Sequence, residues 1–305
     1  MRPDPNSEAL TTEAANPASA AIDALPTREM LRVINAADQE VAAAVERELP
    51  NIATAVDAIV ARLQTGGRLF YLGAGTSGRL GVLDASECPP TFNTPPELVQ
   101  GLIAGGDFAL RHSIENAEDN PEQGKQDLRE RDFSARDALV GIAASGRTPY
   151  VLGGLEYARQ LGALTIGLSC TPNSQVARAA EIAITPVPGP EIITGSTRMR
   201  AGTATKLVLN MISTGVMVRL GFVYGNLMVN VQPTNGKLTD RARRIIASVT
   251  GLSYEEASWL LAEAGSVRTA ALMHKCKLSR QEAEARLAAA QGSLRVALAE
   301  RSSRL

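Results

Sequence analysis

The chain has 305 residues, 45% of them hydrophobic, with 31 Lys and Arg against 32 Asp and Glu and only 4% aromatic residues. That length suits about two domains on a prior of roughly 150 residues each. The near-cancelling charge and scarce aromatics exclude a nucleic-acid binder working by basic field or base stacking, and give no pull toward an anionic membrane. Three cysteines far apart in sequence, Cys88, Cys170 and Cys276, form no CxxC pair, which suits a reducing compartment. With two histidines in the chain, a His/Cys metal site is not expected.

Met1 to Leu25 is rich in Ala, Pro, Asn, Thr and Ser and reads as an extended extension, partly mobile until docked. It lacks the basic-then-apolar pattern of a signal region, and no stretch supplies the eighteen or so apolar residues of a spanning helix. A cytoplasmic protein without membrane partners is the expectation. From Thr27 to Gln64 the apolar residues recur at helical spacing and predict two helices joined near Pro50. Five short apolar runs follow and predict strands: Arg68 to Leu72, Val99 to Ala104, Ala138 to Ala143, Leu164 to Leu168 and Ile182 to Thr185. Helical stretches lie between most of them, notably Pro149 to Leu161. Fully apolar strands alternating with helices predict an α/β fold, a parallel sheet sandwiched by helices. Thr203 to Leu220 then reads as a long apolar helix for a core or a dimer interface, with Leu207, Val208, Met211, Ile212, Val216 and Met217 available for burial. Beyond Asn235 the chain turns charged and Ala-rich. Arg241 to Leu298, broken at Gly251, Gly265 and Gly292 and offering Ser279 as a cap, predicts a small all-helical domain without catalytic residue types.

A parallel sheet holds its ligand at the carboxyl ends of its strands, where strand order reverses. Two loops at such ends have matching chemistry: Gly73 to Gly78, with Gly75, Thr76 and Ser77, and Ala144 to Thr148, with Ser145, Gly146, Arg147 and Thr148. Glycines permit close backbone approach, N–H groups at a helix start favour an anion, and hydroxyls donate to phosphate oxygens. The first loop also matches a dinucleotide fingerprint, which expects an acid about twenty residues on at the end of the second strand. Asp84 and Glu87 come too early for that, and Asp107 fits loosely, so spacing leaves the dinucleotide reading open.

Several blocks resemble one family. Gly73-Ala-Gly-Thr-Ser-Gly-Arg-Leu-Gly-Val-Leu-Asp-Ala-Ser-Glu-Cys-Pro-Pro-Thr91 is similar to the signature of bacterial N-acetylmuramic acid 6-phosphate etherases, members of the sugar isomerase (SIS) fold group. So are Gly101 to Gly106, Gly141 to Tyr150, Gly154 to Leu161 and Thr194 to Met199. The resemblance runs from about Thr12 through the helical tail. It implies an SIS sugar-phosphate-binding domain over 26–235, after the extension at 1–25 and before a helical domain over 236–305. It further implies a homodimer and a carbon–oxygen lyase of cell-wall amino-sugar recycling. Such an enzyme cleaves the C3 lactyl ether of its 6-phosphorylated sugar to D-lactate and N-acetylglucosamine 6-phosphate, with no metal or redox cofactor.

The same resemblance assigns the catalytic carboxylates. Glu87 becomes the acid that protonates the departing lactate oxygen, and Glu118, in Glu115-Asn-Ala-Glu-Asp-Asn120 after a helix expected behind the second strand, the base at C2. From pattern alone each reads as a solvated surface charge. Gly75, Thr76, Ser77, Ser145, Gly146, Arg147, Thr148 and Ser196 become the substrate-binding set. Asp84 and Glu115 read as capping or surface residues, Arg79 and Arg147 each as a surface ion pair or a substrate contact, and His112 as a helix-surface residue with a ring-opening role open to it. A non-catalytic sugar-phosphate regulator of the same fold group is the alternative reading.

Overall fold

The computed structural model describes residues 11–233 and 235–299. They divide into two compact units: the residues up to Ser86 together with Pro96–Ser213, and Glu87–Pro95 together with the residues from Thr214 on.

The first unit is built on five strands: β1 (Leu69–Gly73), β2 (Val99–Ile103), β3 (Ala138–Ile142), β4 (Leu164–Leu168) and β5 (Ile182–Ile184). All neighbouring pairs are parallel, in the order β2-β1-β3-β4-β5. Every residue of β1, β3 and β4 is buried, which is why these strands are apolar runs rather than alternating patterns. From β1 the chain passes to β2 on one side and then returns to β3 on the other. Strand order therefore reverses between β1 and β3, and the register pairs Gly73 with Ile142 at their carboxyl ends. The first strand begins at Leu69, one residue later than expected, because the Arg68 N–H donates to the Asp137 carboxylate at 2.8 Å instead of to a strand. The same carboxylate accepts from the Arg68 guanidinium at 3.0 and 3.2 Å and from Ser134 N–H at 2.8 Å. Asp137 is buried, and although burial pushes its carboxyl up, these donors together hold it below the usual carboxylate range.

Helices α1 (Thr27–Glu46) and α2 (Leu49–Gln64) precede the sheet. Pro50 lies within the first turn of α2 rather than at the join, where its missing N–H costs nothing. The segment after β1 differs from expectation. It is a helix, α3 (Gly75–Phe92), that starts inside the glycine-rich stretch and leaves Gly73 and Ala74 as the turn. A Cβ on Gly73 would stand 2.7 Å from Gly78 N, and one on Gly78 would stand 2.6 Å from Gly73 O. These two glycines let the helix start that close to the strand. After β2 no α-helix precedes Glu118; the chain makes two 3-10 turns, Asp107–Leu110 and Ala117–Asp119, before α4 (Pro121–Arg129). Asn116 in the left-handed region interrupts any longer helix. Helices α5 (Pro149–Gln160), α6 (Gln175–Ala179) and α7 (Arg200–Arg219) follow. In α7, Val208, Leu209, Ile212, Val216 and Met217 are buried, whereas Met211, expected inside, is 40% exposed.

The extension expected to be mobile is docked from Thr11 on; its first ten residues lie outside the described ones. It forms 3-10 turns at Pro17–Ser19 and Ile22–Ala24. Ser19 Oγ donates to Ile192 O at 2.7 Å and Asn16 Nδ2 to Pro190 O at 3.3 Å, and Thr12 is buried.

In the second unit, α8 (Gly236–Thr250), α9 (Tyr254–Ala264), α10 (Val267–Cys276), α11 (Arg280–Ala289) and α12 (Leu294–Ala299) enclose a core containing Ile246, Ala257, Val267, Leu272 and Leu294. Their ends follow local rules. Gly251 and Gly265 close α8 and α9 in the left-handed conformation, and Ser253 with Glu256 and Ser279 with Glu282 form reciprocal capping boxes at α9 and α11.

Candidate active site

A cavity of about 540 Å³ opens at the carboxyl ends of β1 and β3, at the point where strand order reverses. Gly75, Thr76 and Ser77 reach it from the start of α3, and Ser145, Arg147 and Thr148 from the β3–α5 connection. The first N–H groups of a helix have no partner inside it, so the start of α3 presents free donors and the positive end of its dipole to this space. Gly78 N–H is already turned back to Ala74 O at 3.2 Å. Thr148 is the N-cap of α5, yet its side chain makes no capping bond, which leaves its hydroxyl for a ligand. Unpaired amides, the hydroxyls of Thr76, Ser77, Ser145 and Thr148 and a guanidinium around one cavity make an anion site.

Gly146 does not line the cavity; it shapes the loop that does. Its φ is +70°, and a Cβ there would collide with Ser174, whose Oγ caps α6 by accepting from Ala177 N–H at 3.1 Å. Ser196 is likewise outside the lining, although its neighbours Gly195 and Thr197 belong to it. That loop leads into α7, whose start is fixed by a residue with no local sequence signal. Glu191, buried, accepts from Arg200 and Ala201 N–H at 2.9 Å each, and Arg200 pairs with Glu40 at 2.6 Å. No local pattern links Glu191 to a helix start nine positions away, so only the fold reveals the cap.

Among the expected catalytic carboxylates, Glu118 lines the cavity. It sits in the single 3-10 turn between Asn116, at φ +61°, and Asn120, whose Oδ1 caps α4 by accepting from Glu122 and Gln123 N–H. This turn packs against α5. Glu87 is exposed on α3 and opens the second compact unit, whereas the lining residues all belong to the first. Two further carboxylates without a marking pattern in the sequence, Glu13 and Asp119, also line the cavity. Glu13 arrives there because the docked extension carries it. Its only advance signal was its place just after Thr12, at the start of the stretch resembling the family.

The remaining candidates have structural explanations. Asp84 is neither a cap nor a surface charge: it is buried, accepts from Tyr71 Oη at 3.0 Å, Asn210 Nδ2 at 2.8 Å and Ser213 Oγ at 3.2 Å, and burial raises its pKa. Arg79 donates to the backbone carbonyls of Ala109, Leu110 and His112 at 2.8 to 3.1 Å, so it holds that turn instead of making an ion pair. His112 stacks on Phe108 with ring centroids 4.1 Å apart and lines a smaller cavity of about 240 Å³ that Glu118 also borders. A third cavity, about 660 Å³, lies beside Gly105 to Asp107, but its lining sets four carboxylates, Asp107, Glu115, Asp127 and Glu130, against Arg131 and includes no hydroxyl side chain, so it lacks the donors of the first. The dinucleotide reading gains nothing from Asp107, which borders that acidic cavity.

Fold and cavity together define an α/β protein of the SIS sugar-isomerase group. A family model for the glucokinase regulatory protein N-terminal SIS domain matches residues 51–159. A putative phosphosugar isomerase involved in capsule formation from Bacteroides fragilis superposes with a TM-score of 0.50 at 21% identity, covering 64% of this chain and 93% of that one. The sequence relatives are nearer. An N-acetylmuramic acid 6-phosphate etherase of Rhodopirellula baltica is 56% identical over 286 residues, 93% of this chain and 95% of its own, and one of Vibrio vulnificus is 57% identical over 290 residues, 95% and 97%. The chain belongs to the N-acetylmuramic acid 6-phosphate etherase family.

Proposed function

We propose that the protein cleaves the C3 lactyl ether of N-acetylmuramic acid 6-phosphate, leaving N-acetylglucosamine 6-phosphate and releasing D-lactate. It does so as a cofactor-independent carbon–oxygen lyase of cytoplasmic cell-wall sugar recycling. One observation supports this reading above the others: Glu118 shares a single cavity with the free amides of the α3 start and the hydroxyls of Thr76, Ser77, Ser145 and Thr148. A phosphate held by those donors fixes one end of a sugar. The carboxylate then meets the carbons near the other end without searching for them.

In the ring-opened sugar the C2 proton is α to the C1 aldehyde and so is acidic. Glu118 takes it, the electron pair forms the C2–C3 double bond, and the C3–O bond breaks. Glu87, the carboxylate that the family resemblance pairs with Glu118, gives a proton to the departing lactate oxygen. It then accepts one from the water that adds at C3, while C2 regains a proton. Atoms and charge balance over the cycle, with water as the only co-reactant. Gly75, Arg147 and Ser196 complete the binding set, and Gly146 acts through the loop. The α/β domain over 26–235 carries the chemistry, and the helical domain over 236–305 carries none.

We also read the protein as a homodimer. Leu31, Leu83, Ile193 and Met211 of the first unit are each 40% exposed or more, apolar surface that a second copy would cover. Light scattering that reports only monomer removes this part. The deciding experiment is release of D-lactate from N-acetylmuramic acid 6-phosphate by the purified protein. Glu87→Ala is expected to abolish it while the phosphorylated sugar still binds. A wild-type protein that binds the sugar and releases nothing is a sensor, and the etherase reading falls.

A further inference from the structure

The phosphate cavity has an unusual charge balance for an anion site. Its lining includes three carboxylates, Glu13, Glu118 and Asp119, and one cation, Arg147. The substrate of the proposed reaction carries two separate anions, the 6-phosphate and the carboxylate of its lactyl arm. The phosphate is provided for by the α3 amides and the hydroxyls of Thr76, Ser77, Ser145 and Thr148, neutral donors that suffice for a phosphate at a helix start. A lactyl carboxylate has no such provision: beside Glu13, Glu118 and Asp119 it is repelled unless a cation neutralises it.

Arg147 is that cation. Among the described residues its guanidinium makes no hydrogen bond and no ion pair, and its side chain is exposed. The other nearby arginine, Arg79, is held by three backbone carbonyls and is not free to take a ligand. The backbone on both sides of Arg147 is fixed: Gly146 has no space for a Cβ, and Pro149 begins α5. A guanidinium held at its base and free at its tip offers two parallel N–H donors, the match for a carboxylate.

We propose that Arg147 reads the lactyl carboxylate and so sets the preference for the muramic sugar over its lactate-free product. The product keeps the phosphate and loses the group that Arg147 holds, so the same residue favours exchange of product for substrate. This rests on the etherase reading for the identity of the ligand, and the test separates the two.

Binding of N-acetylmuramic acid 6-phosphate and of N-acetylglucosamine 6-phosphate is measured by calorimetry on the full chain carrying Glu118→Gln, which removes the base and slows turnover, with and without Arg147→Met. Loss of a charge-assisted pair weakens the muramic sugar about 10- to 100-fold. The product sugar changes by less than about twofold, the usual scale for an exposed side chain that touches nothing. Its undiminished binding also shows that the variant is folded. Arg147→Lys, which keeps the charge and loses the fork, falls between. Equal weakening of both sugars assigns Arg147 to the phosphate and overturns the proposal, as does no change in either. A wild-type protein that releases no lactate, yet binds the muramic sugar in an Arg147-dependent way, refutes the etherase reading and leaves this one standing.

Discussion

The two compact units of this chain owe their geometry to interactions of different range. In the second unit, helix ends are set by residues within four positions of each other: Ser253 with Glu256, Ser279 with Glu282, Gly251 and Gly265 just past their helices. In the first unit the residues that matter to the cavity meet across the chain. Gly146 packs against Ser174, Glu191 caps a helix starting at Arg200, and Glu13 lines the same cavity as Glu118. Local geometry makes a stable helical body, but a site needs groups from several strand ends, which only a sheet brings together.

This contrast can be broken or sharpened by substitution. The largest effect is expected from Glu118→Gln, which removes the base without changing shape. Lactate release falls by about 10²- to 10⁴-fold, with the melting temperature unchanged. A variant retaining most of the wild-type rate takes Glu118 out of the chemistry.

Asp137→Ala leaves the Arg68 guanidinium its bonds to the Arg131 and Asp132 carbonyls but no counter-charge. Because the Arg68 side chain remains 27% exposed, the loss should sit near the lower end for a broken buried pair, about 3 kcal/mol by denaturant titration. The Asp137 carboxyl is held below its ordinary value in the fold, so its contribution is complete above the unfolded pKa. It is lost as pH falls through the lowered one, below about pH 4. Asp137→Asn should therefore flatten the acid limb of a stability-versus-pH curve; an unchanged limb assigns that acid sensitivity to other groups.

Gly146→Ala forces a side chain into the left-handed region and against Ser174, at a combined cost of about 2–4 kcal/mol. It should weaken sugar-phosphate binding even in the molecules that stay folded, since the loop carrying Ser145, Arg147 and Thr148 has to shift. The smallest effect belongs to the second unit. Ser279→Ala removes a cap worth about 1 kcal/mol and should lower the melting temperature while leaving kcat and KM for the etherase reaction as they are. A change in KM there ties the helical unit to the site.

Burial also predicts which thiol is inert. The Cys170 thiol is buried, and desolvation pushes it up to about 12, so it stays protonated at neutral pH. Native protein should resist iodoacetamide at Cys170 until it is unfolded.

The strands were legible because a parallel sheet buried on both faces needs unbroken apolar runs, and each run appears within a residue or two of its place. The two phosphate-facing stretches were legible because glycine and hydroxyl residues at strand ends are chemically marked. Less legible was the exact conformation around them. Gly75 to Gly78 read as a loop and is the first turn of α3, since nothing local distinguishes a glycine that breaks a helix from one that lets it start against a strand. Asp84 read as a surface or capping acid, and its partners Tyr71, Asn210 and Ser213 come from β1 and α7.

The sequence by itself determined the five strands, the helices outside the Gly75–Phe92 and Asp107–Asp119 stretches, the parallel α/β class, the capped helices of the tail and, through its resemblance blocks, the family. Each of these depends on residues close together in the chain or on motifs of fixed spacing. The tertiary structure alone decided that the β1 and β3 ends are neighbours and that Glu13 and Glu118 border the same cavity. It also decided that, among the described residues, Arg147 is left unpaired while Arg79 is not. Those facts depend on strand order and on which carbonyls lie within reach of a guanidinium, and spacing along the chain encodes neither.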